Sequence, residues 1–397
     1  MSRYRGIAGV RARGGLARTI GSVSVPTRDD VISALATVLD PEIRKPITEL
    51  NMVSSVDIAP DGRARVAVLL TVPGCPMKDR LTRDVSAAVS RISGITAVDV
   101  ELGVMSDAQR AELRQQLRGD APVNEIPFAQ PGSRTRVYAV ASGKGGVGKS
   151  SVTVNLAAAL AAAGQKVGVL DADIYGFSVP RMLGVTGKPT QVEQMIMPPV
   201  AHDVRVISIG MFTPGNTAVV WRGPMLHRAL QQFLADVFWG DLDVLLMDLP
   251  PGTGDIAISV AQLVPSAELL VVTTPQLAAR EVAERAGSIA LQTHQQIVGV
   301  VENMSWLDLP DGTRMDLFGA GGGQSVADSL AGATGTRVPL LGQVPIDQHV
   351  REGGDAGAPV VLSHPDSPAA QAYGRVADAL AARQRSLVGR SLGLTAR

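Results

Sequence analysis

The sequence predicts a doubly wound, mostly parallel α/β domain preceded by a small α+β domain, and three observations carry that reading. Beyond residue 135, short apolar runs alternate with amphipathic stretches, the pattern of strands buried on both faces of a helix-covered sheet. One of these runs leads directly into a glycine-rich segment and then an apolar helix, giving the order strand, turn, helix. Ahead of it, Gly119–Arg134 holds Pro122, Pro127, Pro131 and Gly132 and reads as a linker. The chain has 397 residues, which suits two cores better than one.

Taken in order, residues 1–26 carry Arg3, Arg5, Arg11, Arg13 and Arg18 with no acid and no apolar signal core, and are expected to be a disordered tail. An organellar transit peptide and a start codon placed too far upstream are the alternatives. Residues 27–118 are expected to form the small domain. Its elements are a helix over Arg28–Leu39, strands at Val53–Ile58 and Ala64–Thr71, a helix over Lys78–Ser93, a strand at Ile95–Leu102 and a polar helix over Ser106–Leu117. Asp61-Gly62 between the first two strands is a hairpin signal. After the linker at 119–134, residues 135–385 form the second domain. Its strands are expected at Arg136–Ala141, Lys166–Leu170, Val204–Ile209, Val244–Met247, Leu269–Thr273, Ile297–Val301 and Leu340–Val344, and 386–397 are a tail. Ligands of such sheets sit at the carboxyl ends of the strands.

Composition excludes several functions. The 37 basic residues balance 37 acidic ones, so the electrostatic footprint of a nucleic-acid binder is missing and no nucleic-acid partner is expected. No apolar run is long enough to span a bilayer. Six lysines against 31 arginines, with abundant Ala and Gly, read as a GC-rich bacterial coding bias, and the expected compartment is the cytoplasm. A single cysteine, Cys75, rules out internal disulfides and any thiolate cluster built from one chain. The five histidines, His202, His227, His294, His349 and His364, have no ligand spacing.

The chemistry begins at Gly143-Lys144-Gly145-Gly146-Val147-Gly148-Lys149-Ser150-Ser151, which follows the strand Arg136–Ala141 and opens the helix Val152–Ala163. Glycines let backbone N–H groups curl around a β-phosphate, and the helix N-terminus faces its charge. Lys149 then reaches the β- and γ-oxygens of ATP, and Ser150 holds Mg²⁺. Two strand-end acids complete the expectation. A carboxylate of Asp171-Ala172-Asp173 can orient the attacking water, and Asp248, ending Leu245-Leu246-Met247, falls where a second Mg²⁺ ligand is needed. Either acid alone could equally be a capping residue. The rigid Pro250-Pro251-Gly252-Thr253-Gly254 turn that follows suits γ-phosphate sensing.

The Lys-Gly-Gly-x-Gly-Lys-Ser form resembles the deviant Walker A class, which includes the MinD and ParA ATPases and the nitrogenase iron protein. That resemblance implies a homodimer in which Lys144 crosses to the partner's nucleotide, as an arginine finger does. It favours Asp173 for the water, and it likens Asn303, after the strand Ile297–Val301, and Asp347 of Pro345-Ile346-Asp347 to adenine-contacting positions. Both are also ordinary turn residues.

A narrower resemblance rests on Trp221-Arg222-Gly223-Pro224-Met225, Asp248-Leu249-Pro250-Pro251-Gly252-Thr253-Gly254-Asp255 and Val301-Glu302-Asn303-Met304-Ser305. Together these look like the Mrp/ApbC family of iron–sulfur cluster carrier ATPases, over about 137–382. Leu39-Asp40-Pro41-Glu42-Ile43 and Leu70-Thr71-Val72-Pro73-Gly74-Cys75-Pro76 resemble the PaaD-type small domain tied to cluster maturation. The resemblance implies an ATPase acting in cluster assembly, carriage or delivery, with apo iron–sulfur proteins as clients. The chain departs from the family at the Cys-x-x-Cys that follows Asn-Met-Ser, where Leu309 and Gly312 stand in place of the thiolates. Cys75, between Gly74 and Pro76 and just before a helix, is then the candidate iron–sulfur ligand, its thiolate favoured by the helix dipole; a small buried hydrophobe is its bland alternative. Two other functions stay open: a MinD/ParA-like spatial-positioning ATPase, and a nucleotide-switched adaptor that has lost cluster binding. For the first, the basic stretch from Arg383 would be a membrane-binding helix, which Gly389 and Gly393 disfavour.

Overall fold

The computed structural model describes residues 26–71, 77–118, 125–130, 132–174, 176–212, 223–252, 255–276, 286–288 and 290–383. The expected tails except residue 26, residues 119–124 and 131 of the linker, and Cys75 lie outside the described residues. By contacts the described chain forms two compact units, the first comprising residues 26–38, 46–69 and 80–103.

In the first unit, α1 (Arg28–Leu35) starts with a capping box: the Asp30 amide donates to the Thr27 hydroxyl and the Thr27 amide to the Asp30 carboxylate. It ends earlier than the expected Leu39. Turn bonds from Thr37 to Ala34 and from Val38 to Leu35 tighten the chain ahead of Asp40-Pro41, where proline pushes its predecessor out of the helical region. Strands β1 (Val53–Ile58) and β2 (Arg63–Leu70) pair antiparallel, and β3 (Ala97–Val104) completes a sheet of order β1-β2-β3. Alternate β2 residues Ala64, Val66 and Val68 are fully buried, as are Leu81, Val85 and Val89 of α2 (Lys78–Val89), spaced by four on one helix face.

The second unit comprises residues 39–45, 70–79 and 104 onward, and begins its regular structure with α3 (Asp107–Arg118). Its sheet contains β4 (Arg136–Ala141), β5 (Val167–Asp171), β8 (Val200–Ala201), β9 (Val204–Ser208), β10 (Val244–Asp248), β11 (Glu268–Thr273), β12 (Ile297–Asp308), β13 (Arg314–Met315) and β14 (Leu340–Ile346). The order is β13-β12-β11-β4-β10-β5-β9-β8, with β14 also on β12. All pairs are parallel except β8–β9 and β12–β13. Both faces are covered, as continuous apolar strands require. Val137 and Ala139 of β4 and Leu245 and Met247 of β10 pack on one side with α5 (Gly223–Ala235) and α6 (Asp255–Leu263). Tyr138, Val140, Val244 and Leu246 pack on the other with α4 (Lys149–Ala162) and the helix Pro368–Ala381.

The structure departs from the expected strands in two places. β12 runs past Val301 to Asp308, and two hairpins appear that the sequence did not signal. β6 (Thr190–Val192) and β7 (Met195–Met197) turn at Glu193, whose φ is 54°; β8 and β9 turn at His202 and Asp203, with φ of 49° and 62°. Both lack the Asn-Gly or Asp-Gly that marks such turns.

Within the second unit, the Asp40 carboxylate accepts from the amides of Glu42 and Ile43, and Glu42 accepts from the Thr190 hydroxyl at 3.2 Å. Burial first, and the charge of Asp40 second, push the Glu42 carboxyl up from 4.5 to about 7. Between those values the unfolded chain releases this proton while the folded chain keeps it, so stability falls as pH rises. Glu42→Gln should remove that component: its Tm should fall less than the wild type's from pH 4.5 to about 7, and parallel curves would refute the assignment.

Candidate functional site

The phosphate loop hangs between the ends of three buried strands. Parallel register places Asp248 of β10 opposite Val140 of β4 on one side and Asp171 of β5 on the other. β4 runs into Gly143–Ser151, and α4 begins at Lys149 behind an N-cap, Gly148, with φ of 77°. Gly146 has φ of 79°, so the loop carries two left-handed glycines that turn successive amides inward. The loop base is tied to the turn after β10, the Gly252 amide donating to the Ser142 carbonyl at 2.9 Å, and Pro251 lies beside Gly145.

Asp248 is fully buried and meets three side chains from the first two turns of α4, one as an ion pair and two as hydrogen-bond donors. Lys149 Nζ lies 2.8 Å from Oδ1, the Ser150 hydroxyl donates to Oδ2 at 2.6 Å, and the Thr153 hydroxyl donates to Oδ1 at 2.7 Å. Beside it, Asp171 accepts from the Ser208 hydroxyl and the Asp173 amide, both at 3.1 Å. Burial first, then the Asp248 charge, pushes the Asp171 carboxyl up to about 7. Asp173, nine-tenths buried, accepts from the Gly176 amide at 3.0 Å and lines a cavity of about 230 Å³ together with Lys144, Lys149, Ser150 and Ser151.

A second cavity, of about 580 Å³, shares Ser151 and Ser178 with the first and reaches Asn303, Pro345 and Asp347. Asn303 lies inside β12 rather than after it, and its side-chain amide donates to the Val147 carbonyl of the loop at 2.9 Å. Asp347 caps the helix Gln348–Ala356 through the His349 amide and also faces the His349 ring at 2.9 Å. Burial pushes its carboxyl up, but the His349 amide, Ser367 and the His349 ring outweigh that and hold it below its ordinary value. Lys144 is half-buried and donates to the Gln276 side chain of its own chain.

The expected residues of the loop, Asp171, Asp173, Asp248 and Asn303 are thus brought together. Thr153, Ser208 and Gln276 were not anticipated. Thr153 follows Lys149 by one helical turn, a signal present in the sequence; Ser208 and Gln276 join only through the strand order. Leu309 and Gly312 form the β12–β13 turn: Leu309 donates to Thr313, Gly312 donates to Leu309, and Asp311 accepts from both the amide and hydroxyl of Thr313. Among the described residues, no group of three or more His, Cys, Asp or Glu is placed to hold a metal ion, and no helix is long and apolar enough to cross a membrane.

Comparison with known proteins agrees with this geometry. Residues 133–381 match the family profile described as NUBPL iron-transfer P-loop NTPase, and residues 28–102 match one described as iron–sulfur cluster assembly protein. A Mycobacterium tuberculosis protein named iron–sulfur cluster carrier protein is 67% identical over 362 residues, covering 91% of this chain and 95% of its own length. One of the same name from Deinococcus radiodurans is 44% identical over 356 residues, covering 89% and 94%. A solved nucleotide-binding protein from Archaeoglobus fulgidus, in complex with ADP, is 34% identical with a TM-score of 0.50, over 59% of this chain and 90% of that one. Strand, loop and flanking acids define the class as a P-loop NTPase. More narrowly, the chain belongs to the NUBPL iron-transfer P-loop NTPase family.

Gly148 tests the loop geometry. A Cβ there would fall 2.2 Å from Asn303 Nδ2, and a left-handed alanine costs about 1–2 kcal/mol by itself. Gly148→Ala should lower Tm and abolish nucleotide binding; an unchanged Tm with normal binding would show that neither constraint holds.

Proposed function

We propose that this chain is a dimeric, Mg²⁺-dependent ATPase that assembles, carries or delivers iron–sulfur clusters to apoproteins. The observation that supports the nucleotide half is the buried Asp248 carboxylate holding Lys149 and Ser150 behind a glycine loop. Support for the cluster half comes from the two family matches, which fall on separate stretches of the chain and both concern iron or iron–sulfur assembly.

Each side chain has a role in this reading. The loop amides and Lys149 bind the β- and γ-phosphates. Ser150 Oγ and Asp248 Oδ2, 2.6 Å apart, are hard oxygen donors of the kind Mg²⁺ takes, and the ion would neutralise phosphate charge there. Asp173 orients the attacking water, Asn303 meets the base, and Lys144 supplies positive charge to the partner subunit's nucleotide. The cluster is cargo. Cys75 is the only cysteine, so a homodimer brings at most two thiolates and the remaining iron positions fall to a client or a small thiol.

Lys149→Ala should remove ATP hydrolysis, because the phosphates lose their main cation; wild-type turnover would refute the loop assignment. Lys144→Ala should keep nucleotide binding but lose turnover on the order of 1,000-fold, as for a cation supplied in trans. Mixing it with Lys149→Ala subunits, which retain Lys144, should restore part of that turnover. No recovery in mixed dimers, or normal hydrolysis by Lys144→Ala alone, would refute action across the interface.

Anaerobic reconstitution with iron and sulfide tests the cargo. Absorbance and iron counting should show a labile cluster, strengthened by added thiol and lost in Cys75→Ser, while that variant still hydrolyses ATP. A stable cluster in Cys75→Ser would exclude this ligand, and no cluster at any thiol concentration would replace carriage with an adaptor role.

A further inference from the structure

The two lysines of the phosphate loop have different partners. Lys149 pairs with Asp248 inside the site, whereas Lys144 donates to the side-chain oxygen of Gln276. Gln276 stands just past the carboxyl end of β11, the strand beside β4, so the bond joins the loop to the neighbouring crossover. Its seat is rigid. The preceding residue, Pro275, lies so close to the glycine run at 319–323 that a Cβ on Gly322 would fall 2.6 Å from the Pro275 carbonyl oxygen. That run is fixed in turn by buried Glu302, which accepts from the Gly323 amide at 2.5 Å and from the Gln343 side chain at 2.7 Å. Gln276 therefore offers Lys144 an acceptor beside the loop, and a neutral one, weaker than a carboxylate would be.

We propose that Gln276 is a positioning residue that holds Lys144 on its own subunit and so sets how readily two subunits close around nucleotide. The inference rests on the reading that Lys144 acts on the partner's nucleotide. To reach those phosphates the ammonium has to leave the Gln276 oxygen, so the free energy of that bond opposes closure. Gln276→Ala removes the opposition. Gln276→Glu keeps the length and shape of the side chain but adds a charge-assisted bond, roughly twice as strong, and deepens it.

The experiment is ATP turnover per subunit measured against protein concentration, on the full chain with saturating ATP and magnesium. Half-maximal specific activity should come at a several-fold lower protein concentration in Gln276→Ala and a several-fold higher one in Gln276→Glu. Binding of a fluorescent ATP analogue to dilute protein separates this shift from misfolding, and should match wild type in both variants. In a Lys144→Ala background the two Gln276 substitutions should no longer move the midpoint. The proposal falls if all three Lys144-containing proteins share one midpoint although Lys144→Ala is slow, or if the shifts persist without Lys144. Normal turnover by Lys144→Ala would overturn the action in trans, and this inference with it.

Discussion

Asp248 carries a negative charge into a place with no solvent, and the surrounding structure is arranged around the cost of doing so. An unpaired carboxylate in such a position costs several kcal/mol, and removing one partner of a buried pair about 3–5 kcal/mol. Here the first two turns of α4 answer it with an ammonium and two hydroxyls, from Lys149, Ser150 and Thr153. The strand order fixes the carboxylate between β4 and β5, so the loop closes over it in one way. Asp171, on the next strand, adapts by holding its proton to higher pH, which limits the negative charge gathered at the strand ends. Under the proposed function, Lys149 would turn from Asp248 to the phosphates, and Asp248 with Ser150 would then be free to hold the cation.

Much of this was legible because the signals were local. A glycine loop between an apolar strand and an apolar helix carries its own geometry, and β4 matches the expected Arg136–Ala141 at both ends. The ends of the expected strands were read to within about two residues, except at the end of β12. What escaped depends on contacts distant in sequence. β12 continues through Glu302 and Asn303, polar residues that would ordinarily end a buried strand, because Gly323 and Gln343 satisfy the first and the Val147 carbonyl takes the amide of the second. Ser208 meets Asp171 only once β9 lies beside β5. The turns at Glu193 and at His202-Asp203 use left-handed residues other than glycine, so composition gives no sign of them.

The nucleotide site and the cargo site differ in how the family likeness reaches them. At the nucleotide site the residues singled out by the resemblance lie together: Lys144, Lys149, Ser150 and Asp173 line one cavity, and Asn303 bonds to the loop at Val147. At the expected thiolate positions the chain instead forms a closed turn, with Asp311 and Thr313 bonded to one another and Arg314 lying over the Trp306 ring. Neither Leu309 nor Gly312 has a side chain that ligates iron, so under the proposed function carriage would rest on Cys75 and on whatever the client contributes.

The exchange at Asp248 is best tested by measuring ATP affinity with and without magnesium, in wild type and in Asp248→Asn. Without magnesium, wild-type binding pulls Lys149 from Asp248 and strands a buried charge, so affinity should be far lower than with the ion. Asp248→Asn has no such charge, and it should bind magnesium-free ATP more tightly than wild type does. Equal affinities for wild type in the two conditions, with no gain in Asp248→Asn, would contradict the account.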